Sequence, residues 1–237
     1  VYKRQEMARL LSAEGYTHVC CTPHRLRGMY DTSREAMLHE LNTLQARLEQ
    51  ERIPLTLLPG MEYCLDEFFI QDFSAGPVTL GSGKMVLVET PSNAEPQLLR
   101  ENIFHIVRSG YVPLLAHPER HAFLAPPGKS SKSMFSRVAA WRREPASTEA
   151  DDLNGTLLDE LKMMGCHFQG NLGSVGGYYG NLVSRQEKRL RRSDLYSCYG
   201  TDGHTLNSLK QFFPGALRDI RKGYEKLLTT RFDLIAS

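Results

Sequence analysis

The chain has 237 residues, of which 41% are hydrophobic and 24% charged, with a formal charge of +2. That length can bury the core of one large α/β domain, while so small a charge leaves no electrostatic footprint for nucleic acid or an acidic membrane surface. No apolar run approaches the roughly 20 residues that span a bilayer, and the five cysteines, odd in number and without C-x-x-C spacing, read as reduced core residues of a cytoplasmic protein.

Glu6 to Glu14 is amphipathic, with Met7, Leu10 and Leu11 on one face and Gly15 closing it. The preceding Val1–Gln5 resembles the translation of a transposon-end tag, so a foreign segment and a missing natural start are expected. Thr17–Cys21 follows as a strand, ending at Thr22-Pro23-His24. Thr32 and Glu35 have capping-box spacing for a helix to about Glu51, with Leu38, Leu41, Leu44 and Leu48 as its buried stripe.

After Pro54, the strand Leu55–Leu58 ends at Pro59-Gly60-Met61-Glu62, and Met85–Val88 ends at Glu89-Thr90-Pro91. Gln97–Ser109 is predicted to be a helix, and Val112–Ala116 is a strand that stops abruptly at His117-Pro118-Glu119-Arg120-His121. Asn154–Met164 is helical. Cys166–Gln169 is a strand leading to Asn171, and Leu182–Arg192 is a basic helix. Leu195–Tyr199 is a strand that runs into Thr201-Asp202-Gly203-His204, and Ala216–Leu228 is the last helix.

Strand and helix alternate at least five times, which calls for parallel strands covered by helices. Polar residues end nearly every strand, and this suits barrel-like closure better than an open sheet with one crevice. The whole chain is read as a single domain. One stretch, 125–152, breaks the rhythm: it is long, rich in Ser, Pro and basic residues, and holds the single tryptophan, Trp141. It is expected to be a mobile surface insertion, against the sharper alternative of a basic arm that recruits anionic substrate.

The strand ends together supply His24, Glu62, Glu89, His117, Asp202 and His204. Any one of these is more often a satisfied structural residue than a ligand. Six at one end of one sheet are different, because burying so many charges without cations is prohibitive. Imidazoles and carboxylates without sulfur suit Mn, Fe or Zn in a multinuclear site. Arg120 is a natural anion clamp, since its planar guanidinium matches phosphate bidentately; its bland alternative is a salt bridge to Glu119 or another acid. His18, His39, His105 and His167 read as structural, and His121 could line the cleft. A rival motif, Cys21 to Arg27, has the spacing of cysteine-dependent phosphatases. It ranks low because Pro23 removes a backbone donor and no glycine lies between the two ends.

Taken together, Thr22-Pro23-His24, Gly60-Met61-Glu62, Val88-Glu89, Ala116-His117-Pro118-Glu119-Arg120, Phe168-Gln169-Gly170-Asn171 with Ser174 and Tyr179-Gly180, and Gly200-Thr201-Asp202-Gly203-His204 resemble the metal-dependent tyrosine phosphatases of the PHP superfamily. This is the type associated with capsule and exopolysaccharide control. The resemblance implies an α/β fold, a distorted (β/α)7 barrel, holding two to three divalent ions. Glu62 would bridge ions, and His24, Glu89, His117, Asp202 and His204 would be further ligands. Arg120, binding phosphate, and His204 would be the residues engaged directly in catalysis. The family begins with a strand carrying Asp-x-His-x-His, which is absent here, as expected if the first strand has been cut off. Thr205–Lys210, with Asn207 in it, also lacks the arginine that usually follows the last ligand pair, so a second phosphate clamp is missing or replaced by Lys210.

The chemistry implied is hydrolysis of a phosphomonoester by water whose pKa the ions lower, with the phosphotyrosine tail of a bacterial tyrosine kinase as substrate. The alternatives are a histidinol-phosphate or other small-molecule phosphatase of the same fold, and a catalytically impaired module that binds a kinase or phosphopeptide. Metal identity and oligomeric state stay open.

Overall fold

The structure is a computed structural model that describes residues 2–92, 94–125 and 153–228. The expected insertion at 125–152, apart from Ala125, lies outside the described residues, as does Val1. The helix α1 (Tyr2–Ala13) starts earlier than its amphipathic stretch and stops at Gly15, whose φ of +94° suits glycine.

The next two strand-like runs are each interrupted once. β1 (His18–Cys21) continues past Thr22-Pro23 as β2 (His24–Leu26), and β4 (Thr56–Pro59) continues past Gly60-Met61 as β5 (Glu62–Cys64). The parallel register is unbroken across the gap, with Cys21 opposite Pro59 and His24 opposite Glu62, and the Glu62 amide donates to the Pro23 carbonyl at 3.0 Å. Gly60 makes this close approach workable, because a Cβ there would sit 2.8 Å from Thr22 and 2.9 Å from Leu80. The break places His24 and Glu62 at the start of new strand segments, not at strand ends; Glu62 is paired on both sides, with His24 and Leu87, and His24 with Glu62.

β3 (Tyr30–Asp31) folds back antiparallel on β2. Between it and β4 lies α2 (Arg34–Gln50). Its N-cap is Ser33, whose side chain accepts from the Ala36 amide, and not the expected Thr32; both residues cap well, and the chain uses the later one. Its buried positions are Met37 and Leu48, while Leu38, Leu41 and Leu44 are only partly covered. The short helix α3 (Phe69–Ser74) was not foreseen; it buries Phe69 and Phe73.

The remaining strands, β6 (Met85–Glu89), β7 (Val112–Ala116), β8 (His167–Asn171) and β9 (Cys198–Gly200), extend one parallel sheet in chain order. Helices α4 (Pro96–Arg108), α5 (Leu157–Met163), α6 (Leu172–Val175), α7 (Asn181–Arg192) and α8 (Leu206–Arg221) follow the strands. Side chains alternate across this sheet with period two. On β6 and β7, Val86, Val88 and Leu115 join the large core under the helices, whereas Met85, Leu87, Leu114 and Ala116 face a smaller inner cluster.

That inner cluster also takes Cys20 from β1, Leu58 from β4 and Cys198 from β9. Strands far apart in the sheet order thus share one interior, so the sheet curls. The expected barrel is nevertheless not closed by hydrogen bonds. Among the described residues the ladder is a seven-stranded sheet, β3-β2-β5-β6-β7-β8-β9, plus the β1-β4 pair, with no pairing that returns β9 to β1.

The last helix also departs from expectation. It begins at Leu206, with Thr205 accepting from the Ser208 amide at 3.1 Å, and carries Pro214 in its interior. A mid-helix proline costs about 3 kcal/mol. Leu209, Phe212, Phe213, Ala216, Leu217 and Ile220, all buried, offset it through one continuous apolar face.

Glu187 on α7 is fully buried; its carboxylate accepts from the Tyr199 hydroxyl and lies 3.1 Å from Arg191 Nε. Burial outweighs these partners and pushes its carboxyl from 4.5 up to about 7. The folded chain then holds this proton more tightly than the unfolded chain. The resulting stability is present in full below about pH 4.5 and is lost as pH rises through about 7. Chemical denaturation at about pH 5 and pH 8 should show this loss as about 2–3 kcal/mol, shrinking sharply in Glu187→Gln. An unchanged pH difference in the variant would assign the effect to other groups.

Candidate metal centre

At the carboxyl rim of the curled sheet the six expected donors come together. His24 Nδ1 lies 3.1 Å from a Glu89 oxygen and 3.8 Å from one of Glu62. His117 Nε2 is 3.2 Å from Glu62 and 3.8 Å from Glu89. On the other side His24 Nε2 is 3.1 Å from His204 Nε2, and His204 Nδ1 is 3.3 Å from Asp202. Strands at opposite ends of the sheet order therefore meet here, through the loop after β9 and the start of β2.

Two of these residues sit in left-handed backbone, His117 with φ of 35° and Asp202 with φ of 46°. Few non-glycine residues adopt it, and such strain persists where surrounding structure dictates it. At His117 it turns the chain into the short 3-10 segment Pro118–Arg120, sending Glu119 inward and Arg120 outward. Glu119 is 3% exposed and accepts from the Asn171 amide and the Tyr196 hydroxyl, both at 3.0 Å. Burial pushes its carboxyl above the usual range. Of the bland alternative for Arg120, a salt bridge to Glu119 or another acid, the pairing with Glu119 does not form and the pairing with another acid does. Arg120 donates to Asp202 at 2.7 Å and lies over the Tyr179 ring, 4.5 Å from its centroid.

Asp202 also accepts from Asn171 Nδ2 at 3.1 Å and from the Tyr179 hydroxyl at 3.2 Å. Asn171 is itself held at both ends, by Glu119 on its amide and by the Gly173 amide on its side-chain oxygen at 2.7 Å. The buried Glu119 thus ties the segment carrying His117 and Arg120 to the one that orients Asp202.

Electrostatically, Glu89 holds His24 above the usual imidazole range despite partial burial. Burial works against a charge on His117, yet Glu62 outweighs it and His117 is also raised. Burial likewise opposes charge on Glu89, but His24 and His117 hold it below the usual carboxylate range.

The residues fit divalent ions. His24, Glu62 and Glu89 offer one ligand atom each, all within 4.8 Å of one another, and so do His24, Asp202 and His204. Donor type agrees, with nitrogen and carboxylate oxygen only. Two buried imidazole nitrogens of the cluster, His24 Nδ1 and His117 Nδ1, find no hydrogen-bond partner among the described residues.

The other histidines stay out of the cluster. His18 contacts its neighbour Thr17, His167 bonds Ser197 at 2.9 Å, His105 packs on Phe73, and His39 is exposed on α2. His121 packs behind His117 with ring centroids 5.7 Å apart, and burial pulls its pKa down to about 4. The rival cysteine motif fails physically. Cys21 lies on β1, where burial raises its thiol pKa, and Arg27 bonds Asp72 at 2.7 Å; a nucleophilic thiol needs the opposite shift.

A cleft of about 440 Å³ opens beside the cluster, lined at its mouth by Tyr30, Tyr178, Thr205 and Ser208. Neither Asn207 nor Lys210, both exposed on α8, is among its lining residues. Reading the sequence missed Tyr30 and Tyr178. The glycines flanking Tyr178-Tyr179 were the only local signal, and Tyr30 had none.

Comparison with known proteins gives consistent results. The sequence model of the family described as capsular polysaccharide synthesis, CpsB/CapC, matches residues 1–136. Tyrosine-protein phosphatase YwqE of Bacillus subtilis (strain 168) is 27% identical over 204 residues, 86% of this chain and 70% of that protein. Tyrosine-protein phosphatase CpsB of Streptococcus pneumoniae is 24% identical over 233 residues, covering 94% of this chain and 84% of its own. A crystal structure from the set of YwqE and CpsB, described as unique metal-dependent tyrosine phosphatases, superposes with a TM-score of 0.74 at 25% identity. It covers 94% of this chain and 80% of that one.

Proposed function

Because the chain belongs to the CpsB/CapC family of capsular polysaccharide synthesis, we propose that it is a metal-dependent tyrosine phosphatase. Its substrate in this reading is the phosphotyrosine tail of a bacterial tyrosine kinase of capsule or exopolysaccharide synthesis. The observation that carries the proposal is the convergence of three imidazoles, three carboxylates and one guanidinium on a single rim. The fold reading that accompanies it is a PHP-type (β/α)7 barrel, supported by the interior that distant strands share.

Glu62, buried between His24 and His117, is the residue suited to bridge ions. His117 and Glu89 complete one side, and His24, Asp202 and His204 the other. Mn, Fe or Zn, as two to three ions, would supply water of lowered pKa and neutralise phosphate charge. Arg120 would grip two phosphate oxygens, its plane set by Tyr179. The departing phenolate, whose free pKa of about 10 needs only modest help, would take its proton from His204, exposed at the mouth, when that imidazole is protonated and holds no ion.

The test is metal analysis of the purified chain, followed by turnover of a phosphotyrosine peptide, a phosphoserine peptide and histidinol phosphate with added Mn. The expected result is stoichiometric metal and strong preference for phosphotyrosine. Preference for histidinol phosphate would move the chain to small-molecule hydrolysis. Peptide binding without metal or turnover would make it a binding module.

A further inference from the structure

Two rows of flat side chains line the cleft. On one wall His204 and His24 stack with centroids 5.4 Å apart, and Tyr30 follows His24 at the same 5.4 Å. On the other, Arg120 lies over Tyr179; Tyr178 stands edge-on to Tyr179 at 5.1 Å and packs on Phe212 at 5.4 Å. Each row joins a group of the proposed phosphate-handling site to an exposed tyrosine of the same cleft. Tyr30 is 49% exposed and Tyr178 45%.

Single exposed aromatics are ordinary on protein surfaces. Here two line the same cleft as the expected anion clamp, Arg120. We propose that Tyr30 and Tyr178 form an aryl clamp that makes the site selective for aromatic over aliphatic phosphomonoesters. This rests on the phosphatase reading above and deepens it.

The physical reason is distance along the substrate. With its phosphate on Arg120, a phosphotyrosine carries a rigid ring through the slot, where both rings at the mouth can meet its face or edge. A phosphoserine offers one methylene there, and the peptide backbone would have to enter the slot. The tyrosines act through the part of the substrate that does not react, so they alter how well aryl esters bind.

The experiment compares the metal-loaded parent with Tyr30→Ala, Tyr178→Ala and the ring-preserving Tyr30→Phe and Tyr178→Phe. Phenyl phosphate and ethyl phosphate serve as substrates, and phenylphosphonate and methylphosphonate as non-hydrolysable ligands for calorimetry. The parent should prefer the aryl member of each pair. Each alanine should lower that preference about three- to tenfold, through KM and the dissociation constant, while each phenylalanine keeps it.

Equal losses on aryl and alkyl compounds, or an unchanged preference, would overturn the clamp while leaving the phosphatase reading intact. A parent that hydrolyses neither ester and binds neither phosphonate would overturn both. Calorimetry of the phosphonates reads the clamp independently of turnover.

Discussion

Replacing Glu62 by Gln should empty the metal centre and lower kcat/KM by about a thousandfold or more. The carboxylate is 5% exposed. It sits in register with His24 across the β2–β5 ladder and within 3.2 Å of His117. Glutamine keeps the shape and one acceptor oxygen but no charge, so it cannot balance the charge of cations or meet the His117 imidazole as a carboxylate does. Elemental analysis should show the loss of at least one ion per chain. Without metal, stability should fall by about 1–3 kcal/mol, since a charge-assisted contact becomes a neutral one. A variant that keeps both full metal content and activity would remove Glu62 from the centre.

Arg120→Lys is expected to cost about 10²- to 10³-fold in kcat/KM while the metal content stays near that of the parent. The two readouts separate a phosphate clamp from a residue that merely supports Asp202. Lysine keeps the charge but has no planar fork, and it cannot reproduce the guanidinium stacked over Tyr179. If metal is lost along with activity, the 2.7 Å bond to Asp202 is the role that matters, and the clamp assignment fails.

What could be read from the chain was local. Apolar runs that stop at His, Glu or Asp are visible in sequence because a buried strand and its polar end lie next to each other in the chain. Val112–Ala116 and Met85–Glu89 follow this rule closely. Where two local signals competed, the reading slipped. Thr32 and Ser33 both cap helices, and the chain uses Ser33. The last helix, expected over Ala216–Leu228, instead runs from Leu206 to Arg221 and carries Pro214 inside it, because the buried face from Leu209 to Ile220 outweighs the cost of the proline.

From residue types and their positions alone came a parallel α/β scaffold, the six nitrogen and oxygen donors, and the choice of divalent metal over thiol chemistry. These follow from periodicity and ligand chemistry, which act along the chain. Only the fold decided which donor faces which. The left-handed turn at His117 parts Glu119 from Arg120, the curl of the sheet carries His204 to His24, and two tyrosines far apart in the chain, Tyr30 and Tyr178, come to line one cleft. Backbone direction and sheet curvature sum over many residues, and no short stretch of sequence encodes that sum.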